Sequence, residues 1–578
     1  MFTYLQIPSS VVADIGRNEH LFRLHGKLLL LLVVLYRRSN GDCFEGLLQE
    51  RSLRQHHFGE GERTRTMLST DADAPTSPGT SLCSACGPPA TERSLADRLA
   101  QLGPVLCECA AYIEAGATEK ACHCLALATS LAAGAGDGPL QRLAVPMADC
   151  LARRLLRPVP AIADVLIDPS DYLDRRSISE ARRSFFDLCP FHKVAFVVGN
   201  RAILEAMDNE KQHVHVIDFS GPAAQPCHWI QLLRDFHRRP EGPPHLRLTV
   251  VHDDDDFLAR TSELLSEEAE ELDVPLQFHG VVSQLEELDF NDLHGVLKLK
   301  SGEARAITCT LQLHRLLAAA EDVAVAASAT AGAAARHFYQ MASSSAPPIS
   351  GGGGSAARKD RGSCCPDKPL GFAWPPPAST PESQMPWPLA SFLSAVRALQ
   401  PKIVVVTEQD AEHNCASFRR RFDEALRYYA AVYDSLDAAA AALRRPAAER
   451  ARVERVVLGE EIRSALLREG VHRRERHDRL HRWAARMEMA GFRNAPLSYV
   501  AVRQGDDALR ACGFRGCRNK QHGGCLLMCW CSWPLYSVSA WRPHRSRAGE
   551  ALGSSEYLPV PSPMATDPVH INFDGVWT

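Results

Sequence analysis

The stretch HVHVIDFSGPAAQPCHW, residues 213–229, joins a strand-like run to an acid and a short loop. Enzymes that bind a nucleoside cofactor often carry an acid in this place, here Asp218, followed by glycines that let the backbone approach the ligand. In this loop Ser220 and Pro222 take two of the glycine places, and only Gly221 remains. Proline also removes an N–H donor. The residues therefore predict a nucleotide-binding scaffold without its phosphate cradle, and we expect no cofactor.

One enzymatic alternative stays open on the strand–acid–loop–helix order alone. An S-adenosylmethionine-dependent methyltransferase would use Asp218 and Gly221, with Asp253 at the end of the next predicted strand as the ribose contact. The competing interpretation gives Asp218 a capping or ion-pairing role at the strand end. It makes His215 a hydrogen-bonded residue of the core.

Other catalytic and metal-binding patterns are incomplete. Glu408, His413 and Asn414 follow a predicted strand, where α/β active sites lie, but the sequence has no G-x-S-x-G nucleophile elbow and no H-E-x-x-H motif. The acids of HDDDD, residues 252–256, could attract a divalent cation, but consecutive acids are more typical of a solvated loop. We assign no catalytic residue and no metal ligand, and we predict that the protein is not an enzyme.

The 19 cysteines include one C-x-x-C pair and several C-x-C pairs. Cys83 and Cys86, the C-x-x-C pair, have no second pair at zinc-ribbon spacing. The C-x-C pairs are Cys107 with Cys109, Cys122 with Cys124, and Cys529 with Cys531. Residues two apart on a helix point to different faces, so the first two of these pairs suit a single metal poorly. We expect buried free thiols in a reducing compartment.

Length and charge limit the function classes. A chain of 578 residues exceeds one typical core and predicts two or three compact units. The formal net charge of −4 leaves no strongly basic domain, so direct DNA binding is disfavoured. The apolar run at residues 28–35 is about half of the roughly 20 residues that a membrane span needs. We therefore expect an intracellular protein without a membrane anchor.

The amino-terminal third divides into a leader and a helical part. Residues 1–93 show little periodicity and predict a disordered leader. Residues 94–190 are mostly helical, and Ser177 with Glu180 fits a capping box at the start of one helix. An apolar stripe before Pro158 predicts another helix. This stripe comprises Leu140, Leu143, Met147, Leu151 and Leu155.

Strands and helices alternate over residues 191–542. The predicted strands are 214–219, 246–251, 276–278, 306–311 and 403–407, and the predicted helices are 230–237, 261–272, 418–436 and 453–467. This alternation predicts an α/β fold with a doubly wound parallel sheet. A low-complexity insertion at 325–388 interrupts the pattern, and 543–578 predicts an unstructured tail.

A set of motifs follows one another in a fixed order along the chain. The first is VHVID, formed by Val214, His215, Val216, Ile217 and Asp218, between leucine-rich stretches at about 96–166 and 276–317. Scattered elements follow at Pro401, Phe422, Tyr428, Tyr429, Arg474 and Glu475. The last motifs contain Trp483, Ser539, Ala540 and Trp541. Together these segments resemble the plant GRAS-domain transcriptional regulators, most of all the third scarecrow-like type, with the VHIID, PFYRE and SAW motifs of that family.

This resemblance covers about residues 94–542, and the leader, the insertion and the tail depart from the family pattern. It implies a methyltransferase-like, Rossmann-type core with an α-helical cap and no known catalytic role. It also implies a nuclear co-regulator of transcription that acts in gibberellin response and root development. The implied partners are DELLA-type and other GRAS proteins and indeterminate-domain zinc-finger transcription factors, so that DNA is reached only indirectly. The loop without a phosphate cradle agrees with this interpretation.

Two groups of residues have competing interpretations. LHRLL, residues 313–317, has the L-x-x-L-L form of coactivator helices. Its leucines, Leu313, Leu316 and Leu317, are candidates for partner binding, and they are equally what a buried helix needs. The segment RRERH, residues 473–477, contains a cationic run formed by Arg473, Arg474, Arg476 and His477. This run is typical of a solvated helix face, or else Arg474 or Arg476 pairs with an acid and fixes the packing of the carboxy-terminal lobe. Trp483 and Trp541 are expected to be buried anchors.

Overall fold

The strands predicted between residues 214 and 407 all form in the computed structural model of this protein, which describes residues 90–134, 138–157, 174–210, 212–317, 385–513 and 515–544. Most of the predicted leader, insertion and tail lie outside these residues, as do residues 28–35 and the pair Cys83 and Cys86. The predicted domain boundaries therefore stay predictions. The first described helix starts at Ala90, four residues inside the predicted leader.

The described strands all belong to one sheet. They are β1 (His213–Asp218), β2 (His245–His252), β3 (Leu276–Val282), β4 (Ala304–Thr310), β5 (Ile403–Gln409), β6 (Phe492–Asn494), β7 (Cys517–His522), β8 (Cys525–Trp530) and β9 (Trp533–Pro543).

The α-helices before the fifth strand lie in the amino-terminal part and between strands. They are α1 (Ala90–Glu114), α2 (Thr118–Gly134), α3 (Pro139–Leu156), α4 (Arg175–Leu188), α5 (Pro190–Ala206), α6 (Pro226–His237), α7 (Asp255–Glu271), α8 (Leu293–Val296) and α9 (Trp387–Ala398). Those after it are α10 (Phe418–Ala442), α11 (Ala447–Val453), α12 (Gly459–Leu466), α13 (Leu480–Met489) and α14 (Tyr499–Ala511). None of these described helices combines the length and the apolar character that a membrane crossing requires.

The sheet runs in the order β3-β2-β1-β4-β5-β9-β8-β7, with β6 paired to β9. Strands β1 to β5 are parallel, as in the pairing of Val214 with Leu246, while β9 runs antiparallel to β5 and pairs Val405 with Ala540. From β1 the chain first adds β2 and β3 on one side and then β4 and β5 on the other, and this reversal of the strand order is that of a doubly wound sheet. The predicted α/β fold class is confirmed. The antiparallel strands β7 to β9 were not predicted.

Both faces of the sheet are covered by apolar side chains. Because successive strand residues point to opposite faces, Val214 and Val216 join one core cluster while Ile217 and Phe219 join the other. Strand β5, with the sequence IVVVTEQ, is buried along its whole length, as expected for a parallel strand covered on both faces. Helices α1, α2 and α3 pack on one another, and α1 and α3 also pack on α10.

Helix α4 begins earlier than the predicted capping box. Its N-cap is Asp174, whose Oδ1 accepts a hydrogen bond of 2.6 Å from the Ser177 N–H. Ser177 therefore lies inside the helix, and the prediction that it caps the helix is wrong. Glu180 pairs instead with Arg176 at 3.0 Å, one turn away. The carboxylate of Asp174, three residues before Ser177, is the capping acceptor, a role that the sequence had suggested for the Ser177 hydroxyl.

Candidate functional site at the carboxyl edge of the sheet

The loop after β1 is held together by Asp218. This carboxylate is fully buried, its Oδ1 accepts from the Ser220 N–H at 2.6 Å, and its Oδ2 accepts from Trp229 Nε1–H at 2.9 Å. Ser220 in turn accepts from the Thr310 N–H at 3.2 Å. Both carboxylate oxygens are thus used within the protein, and the strand-end role predicted for Asp218 is confirmed.

His215 lies on β1 away from this loop. Its Nδ1 is 3.1 Å from Glu303 Oε2, and its Nε2 is 2.8 Å from Thr249 Oγ1. Both ring nitrogens have partners and the ring is fully buried. The interpretation of His215 as a hydrogen-bonded core histidine is confirmed.

The space beside the loop is far too small for a nucleoside. It is lined by residues that include Phe219, Gly221, Asp253 and Gln312, and has about 10 Å³ of room for water. That is about enough for one water molecule. Gln312 fills the place where a ligand would approach Gly221, since a Cβ added to this glycine would lie 3.3 Å from Gln312 Oε1.

We expect no heat when S-adenosylmethionine is titrated into the full-length protein at millimolar concentration. The reason is the filled loop, in which Asp218 is bonded internally and Gly221 faces Gln312. Isothermal titration calorimetry of folded protein checks this. A saturable heat would contradict it and would support the methyltransferase alternative.

Asp218 also makes the stability of the protein depend on pH. Burial raises the pKa of Asp218 to about 6, against the hydrogen bonds from Ser220 and Trp229, which lower it. In the unfolded chain its pKa is about 3.9. Since the folded pKa is the higher one, the contribution to stability is complete below about pH 3.9 and is lost as the pH rises through about 6. The loss amounts to about 3 kcal/mol.

Comparison with Asp218→Asn isolates this effect, because asparagine does not titrate. Urea denaturation at several pH values should show the wild type losing about 3 kcal/mol relative to the variant between about pH 4 and pH 7. A difference in unfolding free energy that stays constant over this range would contradict the prediction.

Asp253 and the neighbouring acids form the start of a helix. Asp254 is the N-cap of α7 and accepts from the Phe257 N–H at 3.1 Å. Its own N–H donates to Nδ1 of His252 at 2.9 Å. Asp253 lies beside His252 and lines the small space next to the loop, without room for a ribose there. The acidic run therefore begins helix α7, with Asp254 as its N-cap, and is not the solvated loop that its composition suggested.

A second polar cluster lies at the ends of β4 and β5, and its centre is Glu408. This side chain is 1% exposed, and its Oε1 accepts from the N–H groups of Gln312 at 3.0 Å and Leu313 at 2.7 Å. Its Oε2 lies 2.8 Å from Nδ1 of His314. Glu408 thus fixes the short 3₁₀ turn Leu313–Leu317 that follows β4.

Glu475 joins the other side of this cluster. Its Oε2 lies 3.0 Å from Nε2 of His314 and 3.0 Å from Nε2 of His477. His477 Nδ1 is 2.8 Å from His413 Nδ1, and the His413 ring is stacked on Tyr429 at 5.5 Å. These residues come from the turn after β4, from β5 and the loop after it, from α10 and from the segment after α12, so the cluster joins distant parts of the chain.

The charges of the cluster depend on one another. Burial disfavours a charged ring, but the carboxylates of Glu408 and Glu475 overcome it and raise the pKa of His314 to about 10. Burial alone would raise the pKa of Glu475, but the His314 charge holds it well below its usual range. Burial, together with the charge of Glu475, raises the pKa of Glu461 to about 8. The cluster therefore holds a buried imidazolium between two carboxylates.

The predicted motif residues have mainly structural positions. Tyr429 and Glu475 belong to the cluster, Phe422 and Tyr428 are buried on α10, and Pro401 is buried before β5. Arg474 is exposed, and its backbone N–H donates to Ser464 Oγ at 3.1 Å. Ser539, Ala540 and Trp541 lie buried on β9, and Trp483 lies buried on α13.

Sequence reasoning did not assign His314, His477 or Glu461 to a site. The first two were visible inside the LHRLL and RRERH segments. The contacts of His314 with Glu408 and Glu475 join distant segments, so no spacing in the sequence indicates them. His413 was noted only as an incomplete catalytic pattern.

The three leucines of LHRLL are not available to a partner. Leu313, Leu316 and Leu317 are 1%, 2% and 1% exposed and belong to the core cluster on one face of the sheet. Their candidacy for partner binding is wrong, because the turn that carries them is fixed with its leucines inward by Glu408. The alternative of core packing is confirmed.

The cationic run is also not a solvated face. Arg473 and Arg476 are each 1% exposed and His477 is fully buried, so the interpretation as a solvated helix surface is wrong. Arg476 donates to the carbonyl oxygens of Arg473 at 2.9 Å and Gly470 at 2.8 Å. The run is an irregular segment whose guanidinium groups satisfy backbone carbonyls inside the fold.

Comparisons with known proteins match most of this chain. The GRAS domain family model matches residues 102–542. Scarecrow-like protein 3 of Arabidopsis thaliana is 39% identical over 445 residues, which cover 76% of this chain and 88% of that protein. GRAS family protein TF80 of Medicago truncatula is 32% identical and is covered over 94% of its length.

More distant relatives include the DELLA proteins. DELLA protein GAIP of Cucurbita maxima is 29% identical over 412 residues, and this match covers 56% of that protein. Among solved structures, SCL7 of Oryza sativa superposes with a TM-score of 0.56 at 27% identity, covering 76% of this chain and 99% of that one. Its GRAS domain has a Rossmann-like, methyltransferase-like fold, in agreement with the predicted core.

Proposed function

Because this chain belongs to the GRAS family of plant regulators, we propose that it is a nuclear, non-enzymatic co-regulator of transcription that acts through protein–protein contacts in gibberellin response and root development. The observation that carries the proposal is the filled carboxyl edge of the sheet. Doubly wound enzymes bind their ligands at that edge. Here Asp218, Gln312 and Glu408 make hydrogen bonds within the protein instead of with a ligand. We therefore infer that the protein acts through partners that bind its outer surface.

The proposed partners are other regulators of transcription. They are DELLA-type and other GRAS proteins, and indeterminate-domain zinc-finger transcription factors that bring the complex to DNA. A formal net charge of −4 supports indirect rather than direct contact with DNA.

The helical region offers one exposed apolar face for such contacts. Leu127 and Leu131 lie four residues apart on α2 and are 44% and 41% exposed. Side chains at this spacing share one face of a helix. A partner that covers them would remove apolar surface from water, which is the main source of affinity at protein interfaces.

The test uses the purified full-length protein against a purified DELLA-type GRAS protein and an indeterminate-domain zinc-finger protein. We expect direct binding to at least one of them, and we expect the double variant Leu127→Glu with Leu131→Glu to weaken it at least tenfold. Leu264→Glu is the matched control, since this leucine of α7 is 47% exposed and should tolerate the charge without loss of binding.

Circular dichroism of each variant verifies that it is folded. Folded wild-type protein that binds neither partner would contradict the proposal. Equal binding by the double variant would place the contact elsewhere on the surface. Nuclear localisation is checked separately with a fluorescent fusion in plant cells.

A further inference from the structure

Three ligand atoms converge inside the cluster at the ends of β4 and β5. They are Nε2 of His314, Nε2 of His477 and a carboxylate oxygen of Glu475, and all lie within 4.8 Å of one another. The Glu475 oxygen is 3.0 Å from each ring nitrogen. Donor atoms bound to one ion at roughly 2.0–2.2 Å lie about 3 Å from each other, and both distances to the Glu475 oxygen have this value.

The two ring nitrogens that face the centre lack well-formed hydrogen bonds. His314 is 2% exposed and His477 is fully buried, and each Nε2 makes a close ion-pair contact of 3.0 Å with the same Glu475 oxygen, at an angle that is poor for a hydrogen bond. A metal ion at this point would replace the shared contact with a separate bond to each of the three ligand atoms.

The outer nitrogens of both rings are held by buried partners. Nδ1 of His314 faces Glu408 Oε2 at 2.8 Å, and Nδ1 of His477 faces Nδ1 of His413 at 2.8 Å. In metal sites the ligating histidine almost always donates its other ring N–H to a carboxylate or another acceptor, which fixes the ring and its tautomer. Glu408 is such a carboxylate partner for Nδ1 of His314.

We propose that His314, Glu475 and His477 bind a divalent transition-metal ion of the zinc type. Two imidazoles and one carboxylate are a ligand set that zinc accepts. A divalent ion at this point would balance the two carboxylates, Glu408 and Glu475, that lie against the rings. Without the ion a proton on His314 supplies one positive charge in the same place.

The ion would have a structural role. Its ligands come from the turn after β4 and from the segment after α12, which are far apart in sequence. Binding would tie the turn Leu313–Leu317 to the carboxy-terminal part of the sheet and stabilise the folded state through mass action. This inference is independent of the proposed partners.

The test begins with the full-length wild type, stripped with a chelator and then dialysed against zinc chloride. We expect about one zinc ion per chain by elemental analysis, and a melting temperature that rises with zinc and falls again with chelator. No zinc above the buffer background and an unchanged melting temperature would overturn the proposal.

Variants and cobalt locate the ion. His314→Gln should abolish the uptake, Glu408→Gln should weaken it about 10- to 100-fold, and His215→Gln, a buried histidine outside the cluster, should retain it. Should His314→Gln fail to fold, the absorption spectrum of the cobalt-loaded wild type decides. Bands of nitrogen and oxygen ligation support the site, whereas thiolate charge transfer would place the metal on cysteines and overturn the proposal.

Discussion

Trp541→Ala should lower the free energy of unfolding by about 3–5 kcal/mol. The side chain is 1% exposed and lies on β9 in the core cluster that includes Trp483. Its Nε1–H donates to Ser539 Oγ at 2.9 Å, so the truncation removes a large apolar volume and leaves a buried hydroxyl without this partner. Equilibrium urea denaturation of the full-length protein measures the change.

Trp387→Ala is the matched control. This tryptophan is 71% exposed at the start of α9, and its loss should change the unfolding free energy by less than about 0.5 kcal/mol. Overlapping denaturation curves for Trp541→Ala and the wild type would contradict the expected burial.

Glu408→Ala should be comparably destabilising, by about 3–5 kcal/mol. The substitution leaves the buried N–H groups of Gln312 and Leu313 without an acceptor and removes one of the two carboxylates beside His314. Uncompensated buried donors and charges are costly, in contrast to surface ion pairs. Hydrogen exchange should in addition show faster exchange in the turn Leu313–Leu317.

Glu408→Gln keeps the shape of the side chain and removes its negative charge. Its amide oxygen can still accept from the two backbone N–H groups, so we expect a smaller loss of about 1–2 kcal/mol. Glu267→Ala, a change at an exposed acid of α7, should be nearly neutral. If Glu408→Ala were as stable as Glu267→Ala, the role given to Glu408 in fixing the turn would be wrong.

The parallel half of the sheet could be predicted because buried parallel strands are continuous apolar runs. Strand β5 has the sequence IVVVTEQ, and β1 has HVHVID. In the antiparallel half, β8 is also an apolar run, with the sequence CLLMCW, but it was not predicted as a strand. Strand β7, with the sequence CRNKQH, is polar and largely exposed at the sheet edge. Its place follows only from pairing with β8, which joins Cys517 to Trp530.

The loop after β1 could be interpreted from the sequence because its chemistry is local. Missing glycines and a proline are visible within a few residues of Asp218. The cluster around Glu408 could not be predicted from the sequence, because its contacts join residues that are far apart in sequence, such as His314 and Glu475. The leucines of LHRLL were ambiguous for a related reason. The same spacing serves an exposed helix and a buried turn, and only burial distinguishes them.

The position of β9 bears on how the chain is synthesised and folded. This strand is the last of the described strands in the chain, yet it lies inside the sheet between β5 and β8. Nearly all of residues 90–543 must therefore be synthesised before β9 can pair with β5. Until then the nascent chain carries an unpaired strand edge, which is a template for aggregation. A premature stop codon before residue 533 would leave that edge open permanently, so such truncated products should depend on chaperones or be degraded.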